Sequence, residues 1–151
     1  MTATTYLASI VTAISDLTIT GVTIKDMSEV TASWVSLPKV LYPNVDDFVT
    51  DFDLTYPTYV QDGEGPVDIK YTLNYRYLST QVGDMATMPV QSNLVMTEVI
   101  SIINKLLTVR SPYDGRVTMA AKVASIGAKM DPAGNQYFGA DIALNIEEMQ
   151  N

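Results

Sequence analysis

Residues 67–77, VDIKYTLNYRY, carry the clearest structural signal in the chain. Every second side chain in this stretch is apolar, and the intervening ones, which include Lys70 and Arg76, are polar or charged. Because successive side chains of a strand point to opposite faces, this period of two predicts a long strand with one dry face. Such a strand is typical of an antiparallel sheet that buries only one of its faces.

Further strands are predicted upstream of this stretch. The predicted strand has Phe48, Phe52, Leu54 and Tyr56 on one face, with Val49 and polar residues on the other. Residues 38–43 are bounded by two prolines, which favours an extended chain. Shorter strands are predicted at residues 18–24 and 30–35.

Two turns predict long hairpins. Residues 61–66, QDGEGP, are polar and glycine-rich, and they predict an exposed tip before the strand at residues 67–77. Residues 131–134, DPAG, have proline at the second turn position and a glycine that can take a positive φ. This turn joins residues 117–123 to residues 138–146, in which apolar side chains alternate with others. A chain that finishes on a strand favours a place at the sheet edge for that strand.

Two helices are predicted from a period of 3.6 residues. Residues 4–16 carry apolar side chains on one side of a helical wheel, and residues 90–107 carry them over roughly half of it. Thr87 is the predicted N-cap of the second helix, and Pro89 fits its first turn. The order of elements, without a repeated βαβ pattern, predicts one α+β domain over residues 1–151. We expect an antiparallel or mixed sheet with long hairpins, packed on one face by both helices.

The composition argues against most kinds of catalytic site. The chain has 151 residues, enough to bury a core without disulfides or metals, and it contains neither cysteine nor histidine. Ser-His-Asp catalysis, Cys-His catalysis and zinc sites built on imidazole or thiolate are therefore excluded. We expect no enzyme activity, no cofactor and no metal.

The charge limits the partners in a similar way. The net charge is −8 and the pI is about 4.2, so no excess of basic residues is present to neutralise phosphates. The N-terminal residues lack the positive region of a signal peptide, and we find no apolar run that approaches the roughly 20 residues of a membrane span. We expect a protein that is made in a cytoplasm and binds neither nucleic acid specifically nor a membrane.

An acidic cluster gives an alternative function of another class. Asp46, Asp47, Asp51 and Asp53 lie within eight positions of one another, and carboxylate oxygens are the ligands that calcium and magnesium prefer. The cluster lacks the glycine and the closing glutamate of a calcium loop, so a solvated strand face is favoured over a divalent-cation module or a carboxylate-based hydrolase. A third interpretation is a small-ligand carrier that uses the tyrosine-rich sheet, although Tyr71, Tyr75 and Tyr77 fall on the dry face and are predicted to pack in the core.

The order of elements resembles the tail-terminator proteins of long-tailed phages, and related neck and tail-completion proteins have the same arrangement. The similar features are the N-terminal amphipathic helix, the extended residues 38–43, the polar hairpin tip at residues 62–65, the helix at residues 90–107 and the closing strand at residues 138–146. Together they span nearly the whole chain.

The resemblance implies a structural subunit of the virion rather than an enzyme. Its expected partners are further copies in a hexameric ring, the tail-tube protein on one side and a head-to-tail connector on the other. DNA is expected only to pass through an acidic channel, and a negative wall would repel it during passage.

Candidate contact residues come from three features of the sequence. The hairpin tip is exposed, Lys70 and Arg76 on the polar strand face are candidates for ion pairs between subunits, and methionines before the second helix repack easily against partners. Met96, within that helix, is instead predicted to fill the core. The candidate interface residues are Asp62, Gly63, Glu64, Gly65, Lys70, Arg76, Met85, Met88, Glu147 and Glu148.

Overall fold

The computed structural model describes residues 5–31, 38–55, 67–113 and 115–150. In chain order the helices and strands are α1 (Leu7–Ser15), β1 (Thr23–Ile24), β2 (Val40–Pro43), β3 (Val49–Thr55), β4 (Val67–Gln81), α2 (Met88–Leu106), β5 (Val117–Met130) and β6 (Gln136–Gln150). The predicted α+β fold is confirmed. The predicted hairpin tip, with Asp62, Gly63, Glu64 and Gly65, lies outside the described residues.

The strands form one mixed sheet in the order β1-β2-β4-β6-β5. β3 lies off this path, on the same edge of β4 as β2, because β2 pairs with residues 75–78 and β3 with residues 68–73. β6 pairs along its length with β4 on one side and with β5 on the other. The prediction that the last strand lies at a sheet edge is therefore wrong, and β5 is the outer strand instead.

Both helices pack on one face of the sheet, which we call the inner face. α1 buries Ile10 and Ile14, and α2 buries one residue in every turn or so along its length. The core residues from α2 are Val95, Val99, Ile102 and Leu106, and those from the sheet include Ile69, Tyr71, Leu73, Tyr75, Tyr77, Ala140, Ile142, Leu144 and Ile146. The predicted dry faces of β4 and β6 are thus confirmed.

The alternation along β4 breaks at a bulge. The register with β6 shifts between Leu78 and Thr80, and Leu78 is buried beside Tyr77 rather than exposed. Leu78 belongs to a second, smaller cluster with Val40, Tyr42 and Tyr137. Gly139 lies opposite Leu78, and a Cβ atom at this position would lie 2.2 Å from the backbone oxygen of Tyr77. The close approach of the two strands therefore requires glycine.

β3 differs from the predicted one-sided strand. Its register with β4 shifts between Thr50 and Asp53, where Asp51 takes a φ of 53°. The bulge brings Val49, opposite Leu73, onto the inner face. Phe52 and Leu54 do share the inner face, but they are 56% and 47% exposed, because β3 lies at the edge of the sheet. Tyr56, predicted on the same face, lies outside the described residues.

The segment between α1 and β2 contains less strand than predicted. Of residues 18–24, only Thr23–Ile24 form a strand, and Ile19 and Val22 add one bridge. Val30 follows the short 3-10 helix Met27–Glu29 and is not in a strand. Residues 32–37, which hold most of the other predicted strand, lie outside the described residues.

The second predicted helix is confirmed as α2, with Pro89 in its first turn. Thr87 is the N-cap residue, but its hydroxyl donates to the backbone oxygen of Asp84 at 2.7 Å and does not cap α2. Within the helical stretch Met85–Arg110, an 18-residue window has a mean hydropathy of 1.2, so length and composition would allow the stretch to cross a membrane. A helix that packs on a core passes the same test, and α2 packs on the sheet.

Candidate assembly surfaces

The four aspartates of the predicted cation site do not converge. Asp46 and Asp47 lie in the turn before β3, and Asp51 and Asp53 lie on β3 itself. Asp46 lines a cavity of about 480 Å³ beside Arg76, whereas Asp51 lines a separate cavity of about 430 Å³ on the open face of the sheet. Within the part of the chain that the structure describes, no three acidic side chains are grouped so that they could hold a metal ion. The arrangement gives the carboxylate alternative no support.

Arg76 and Lys70, the candidates for ion pairs between subunits, both have partners within the chain. Arg76 Nε donates to Asp141 Oδ1 at 2.8 Å, and Nη2 donates to Oδ2 at 3.3 Å. Burial raises the pKa of Asp141, but the hydrogen bonds and charges of Arg76 and Lys129 together outweigh burial and hold this pKa below its usual value. Lys70 Nζ lies 3.8 Å from Asp68 Oδ2 and 4.0 Å from Glu147 Oε2, and its side chain is 52% exposed. Both ion pairs are long, so Lys70 remains accessible to a further partner, whereas Arg76 is held by Asp141.

Glu147 and Glu148 have opposite environments although they are neighbours. Glu147 is on the open face, where its side chain is 42% exposed. Glu148 is fully buried on the inner face, and its carboxylate accepts hydrogen bonds from Tyr71 OH, Thr5 Oγ1 and Tyr6 N. The side chain of Glu148 therefore fastens the segment before α1 to β6 and does not reach a partner.

The exposure of the methionines near α2 differs in part from the prediction. Met85 is 53% exposed, in agreement with a contact role, and Met88 is half-buried against the core. Met96 was predicted to fill the core, but it is 48% exposed. The reason is that α2 lies on a sheet and buries only one side, whereas its apolar residues cover about half of the wheel.

A polar cluster that the sequence did not indicate surrounds Glu98 of α2. Lys39 Nζ, Tyr77 OH and Ser79 Oγ donate to its carboxylate at 2.5, 2.7 and 2.6 Å. Burial raises the pKa of Glu98, but the hydrogen bonds from Lys39, Ser79 and Tyr77 outweigh burial and lower this pKa. Lys39 takes a φ of 55°, which is uncommon for a residue other than glycine. Because both carboxylate oxygens are already bonded, the cluster ties α2 to the β2 side of the sheet and offers no free reactive group.

The exposed apolar side chains collect in two places. The α2 surface consists of Val90, Leu94, Met96 and Ile100, which are between 45% and 72% exposed. The β3 surface consists of Val49, Phe52 and Leu54, which are between 39% and 56% exposed. Phe52 lies over Tyr71 with the ring centroids 6.3 Å apart, so this surface continues the buried inner face outward.

The sheet also offers two long outer strands, besides the two-residue β1 at one end of the strand order. β5 pairs only with β6, and β3 pairs only with β4, among the strands that the structure describes. Unpaired strand edges are common sites of contact with another chain. A bulge interrupts each of them, at residues 50–53 in β3 and at residues 123–125 in β5.

Two of these features could have been found in the sequence. Glu148 lies two residues beyond Ile146. Because side chains two residues apart share one face of a strand, extending the alternation of residues 138–146 to Glu148 places its side chain on the buried face. The width of the apolar arc on α2 indicates more apolar residues than one face can bury. The Glu98 cluster gives no comparable signal, because Lys39 lies 59 positions away in the chain.

No protein-family model matches this sequence, and no curated protein matches it either.

Proposed function

We propose that this protein is a structural subunit that assembles with further copies and with partner proteins, as a tail terminator does at the head-proximal end of a phage tail tube. In that role the copies form a ring that contacts the tail-tube protein on one side and the head-to-tail connector on the other. The ring stands in the virion, and DNA passes through it without being bound specifically.

The distribution of exposed apolar side chains is the observation that carries this proposal. Twelve large hydrophobic residues are exposed in the described part of the chain. Nine of them lie in two short stretches, four between Val45 and Leu54 and five between Met85 and Ile100. Scattered apolar residues are normal on a surface, whereas grouped ones mark contacts with other proteins.

The polar interior supports the same proposal. Glu98, Asp141 and Glu148 are each engaged by two or more donors from the same chain, and their contacts join elements of the fold. A catalytic carboxylate needs access to a substrate. These carboxylates hold the fold together, whereas the exposed apolar surfaces are accessible to other proteins.

The tail-terminator role itself rests on the arrangement of elements and on charge. The order of helices and strands that carries the resemblance is the order in the fold, apart from the hairpin tip, which lies outside the described residues. A net charge of −8 suits a channel that must repel DNA.

The proposal is tested by mixing the purified chain with assembled tail tubes and measuring both mass in solution and the structure of the tube ends. We expect rings, either free or capping one end of each tube. Ile100→Glu, which puts a charge on the α2 surface, should reduce assembly and leave the fold intact. Thr12→Glu is the matched control, because it adds the same charge at an exposed helical position on α1, away from the α2 surface.

A strictly monomeric protein that leaves tube ends uncapped would contradict the proposal. So would an equal loss of assembly in both variants, since charge alone would then explain the effect.

A further inference from the structure

The two outer edges of the sheet carry opposite charges. β3 and the turn before it contain Asp46, Asp47, Asp51 and Asp53, and residues 44–55 contain no lysine or arginine. β5 contains Lys122 and Lys129, follows directly on Arg116, and has no aspartate or glutamate. Because β3 and β5 lie on opposite sides of the sheet, the subunit has an acidic edge and a basic edge.

The charges on these edges are available to a partner. Asp46, Asp47, Asp51 and Asp53 are exposed, and none of them forms an ion pair with a described residue. Arg116 and Lys122 are likewise exposed and without an ion pair among those residues, while Lys129 is held 3.1 Å from Asp141. Arg110, in the helical turn that packs against β5, adds a further exposed cation.

The charges also lie on the same face of the sheet. Lys122 is opposite Ala143, which is flanked on β6 by the buried Ile142 and Leu144, so Lys122 points to the open face. Asp53 is opposite Lys70, which is flanked by buried residues in the same way. A sheet that continued from the β5 of one copy to the β3 of the next would therefore bring Lys122 and Asp53 together on its open face.

The same arrangement of copies also brings exposed apolar residues together in the layer of the helices. Positions two residues apart are about 200° apart around a helix, so Met96 and Ile100 lie on the opposite flank of α2 from Glu98. Glu98 binds Lys39 on the β2 side, and α2 packs over β6 and β5, so this flank faces the β5 edge. Phe52 and Leu54 lie on the inner face at the β3 edge. The same juxtaposition that pairs the charges would bring these two exposed apolar groups together.

We propose that copies of the chain join head to tail, with the acidic β3 edge of one copy against the basic β5 edge of the next, Lys122 beside Asp53 on the open face, and Phe52 against Met96 and Ile100 in the helical layer. This interface rests on the proposed function, and it specifies which surfaces build the ring.

Charge also selects the orientation. A net charge of −8 makes copies repel one another in general, and two β3 edges would bring four carboxylates against four. Two β5 edges would bring lysines and arginines together. Only the unlike edges attract. A contact between two different surfaces repeats from copy to copy, and it forms a ring when the rotation between copies closes.

Charge reversal tests the interface under the conditions in which the wild-type chain assembles. Lys122→Glu and Asp53→Lys should each raise the concentration for half-assembly about tenfold, because a reversal removes an attraction and adds a repulsion. In the double variant, the concentration for half-assembly should return most of the way to the wild-type value. The controls are Lys105→Glu and Asp16→Lys, which change the charge equally at exposed positions away from both edges. Each should change the concentration for half-assembly less than about twofold.

Crosslinking gives an independent test, because the chain has no cysteine of its own. Thr55→Cys and Ala120→Cys place single thiols on the open face of β3 and β5, and both leave the charges intact. With a flexible thiol-reactive crosslinker, an equal mixture of the two variants should give dimers that contain one of each. Either variant alone should assemble but give no covalently linked dimers, because its thiols lie at the same edge of every copy.

The outcomes separate this interface from the proposed function. If the wild-type chain assembles but the charge variants behave like their controls, or if either cysteine variant links efficiently to itself, the head-to-tail interface is wrong and the structural role stands. If the wild-type chain assembles neither alone nor on tail tubes, both proposals fail.

Discussion

The phenol of Tyr71 on β4 donates a hydrogen bond to the carboxylate of Glu148 on β6, inside the core of the protein. The same carboxylate accepts from Thr5 Oγ1 and from the backbone N–H of Tyr6, each at 2.8 Å. A buried carboxylate is tolerated only when such donors surround it. Glu148 therefore links two central strands to the start of α1.

Replacing Glu148 with alanine should lower the free energy of unfolding by about 3 kcal/mol, because it leaves four donors, Gln150 Nε2 among them, without their acceptor. Urea denaturation measures the change. The neighbouring Glu147→Ala is the control, and its exposed ion pair with Lys70 contributes no more than about 1 kcal/mol. Equal losses in the two variants would mean that the hydrogen bonds of Glu148 add nothing to stability.

The polar contacts of Glu98 and Asp141 predict weaker stability in acid. Burial raises the pKa values of both carboxylates, but the hydrogen bonds from Lys39, Ser79 and Tyr77 to Glu98, and the hydrogen bonds and charges of Arg76 and Lys129 around Asp141, together lower them from their usual 4.5 and 3.8. Their ionised forms thus stabilise the fold above these usual values, and this stabilisation is lost as the pH falls through the lowered ones.

Glu98→Gln and Asp141→Asn should therefore lower the melting temperature at neutral pH, and their effect should shrink as the pH falls through the lowered pKa values and the wild-type groups become protonated too. Melting curves over this range check the prediction, with Asp16→Asn as an exposed control. A loss that is the same at every pH would show that packing, rather than ionisation, explains the effect.

Two tyrosines on the same face of β4 should respond in opposite ways to replacement by phenylalanine. Tyr75 OH is buried and finds no hydrogen-bond partner within the described residues, and burial raises its pKa. Tyr75→Phe should therefore stabilise the protein by about 0.5–1 kcal/mol, because the unsatisfied hydroxyl is removed. Tyr71→Phe should destabilise it by about 1–2 kcal/mol, because Glu148 loses a donor. Thermal denaturation of the two variants would refute this if both shifted in the same direction.

Gly127 and Gly139 face each other on β5 and β6, yet they should differ sharply on replacement by alanine. A Cβ at Gly139 would lie 2.2 Å from the backbone oxygen of Tyr77, whereas a Cβ at Gly127 meets nothing within 4 Å among the described residues. Gly139→Ala should cost about 3 kcal/mol or more, because the strands must move apart. Gly127→Ala should be neutral or stabilising by up to about 1 kcal/mol. Expression yield and urea midpoints distinguish these outcomes, and two similar midpoints would contradict the prediction.

The sequence predicts the parts of this fold whose patterns are long and local. The dry face of β4 follows from alternation that persists from Val67 to Tyr77, and α2 follows from its apolar period and Pro89. The place of β6 between β4 and β5 does not follow from any local pattern, because the order of strands in a sheet depends on pairing between distant residues. β3 was mispredicted for a related reason, since its bulge and its edge position decide which side chains are covered.

The candidate contact residues were harder to predict than the fold. A residue such as Arg76 on a polar strand face looks free in the sequence, although Asp141 holds it from 65 positions away. Conversely, Met96 and Ile100 look like core residues, because a helical wheel does not show how much of the helix its neighbours cover. The exposure of a side chain depends on how the helices pack on the sheet. Contact residues can therefore be told from core residues only in the folded structure.

The interior position of β6 has a consequence for how the protein is made. β6 follows β4 and β5 in the chain but lies between them, so both earlier strands leave the ribosome before the strand that joins them exists. Until then the 15 residues of β4 have unpaired backbone groups along one edge, and another unfolded chain could pair with them. Sheet closure also pairs Val67 with Gln150, a connection across most of the chain, and such topologies fold slowly. Newly synthesised copies should therefore depend on chaperones to avoid aggregation until β6 has been inserted.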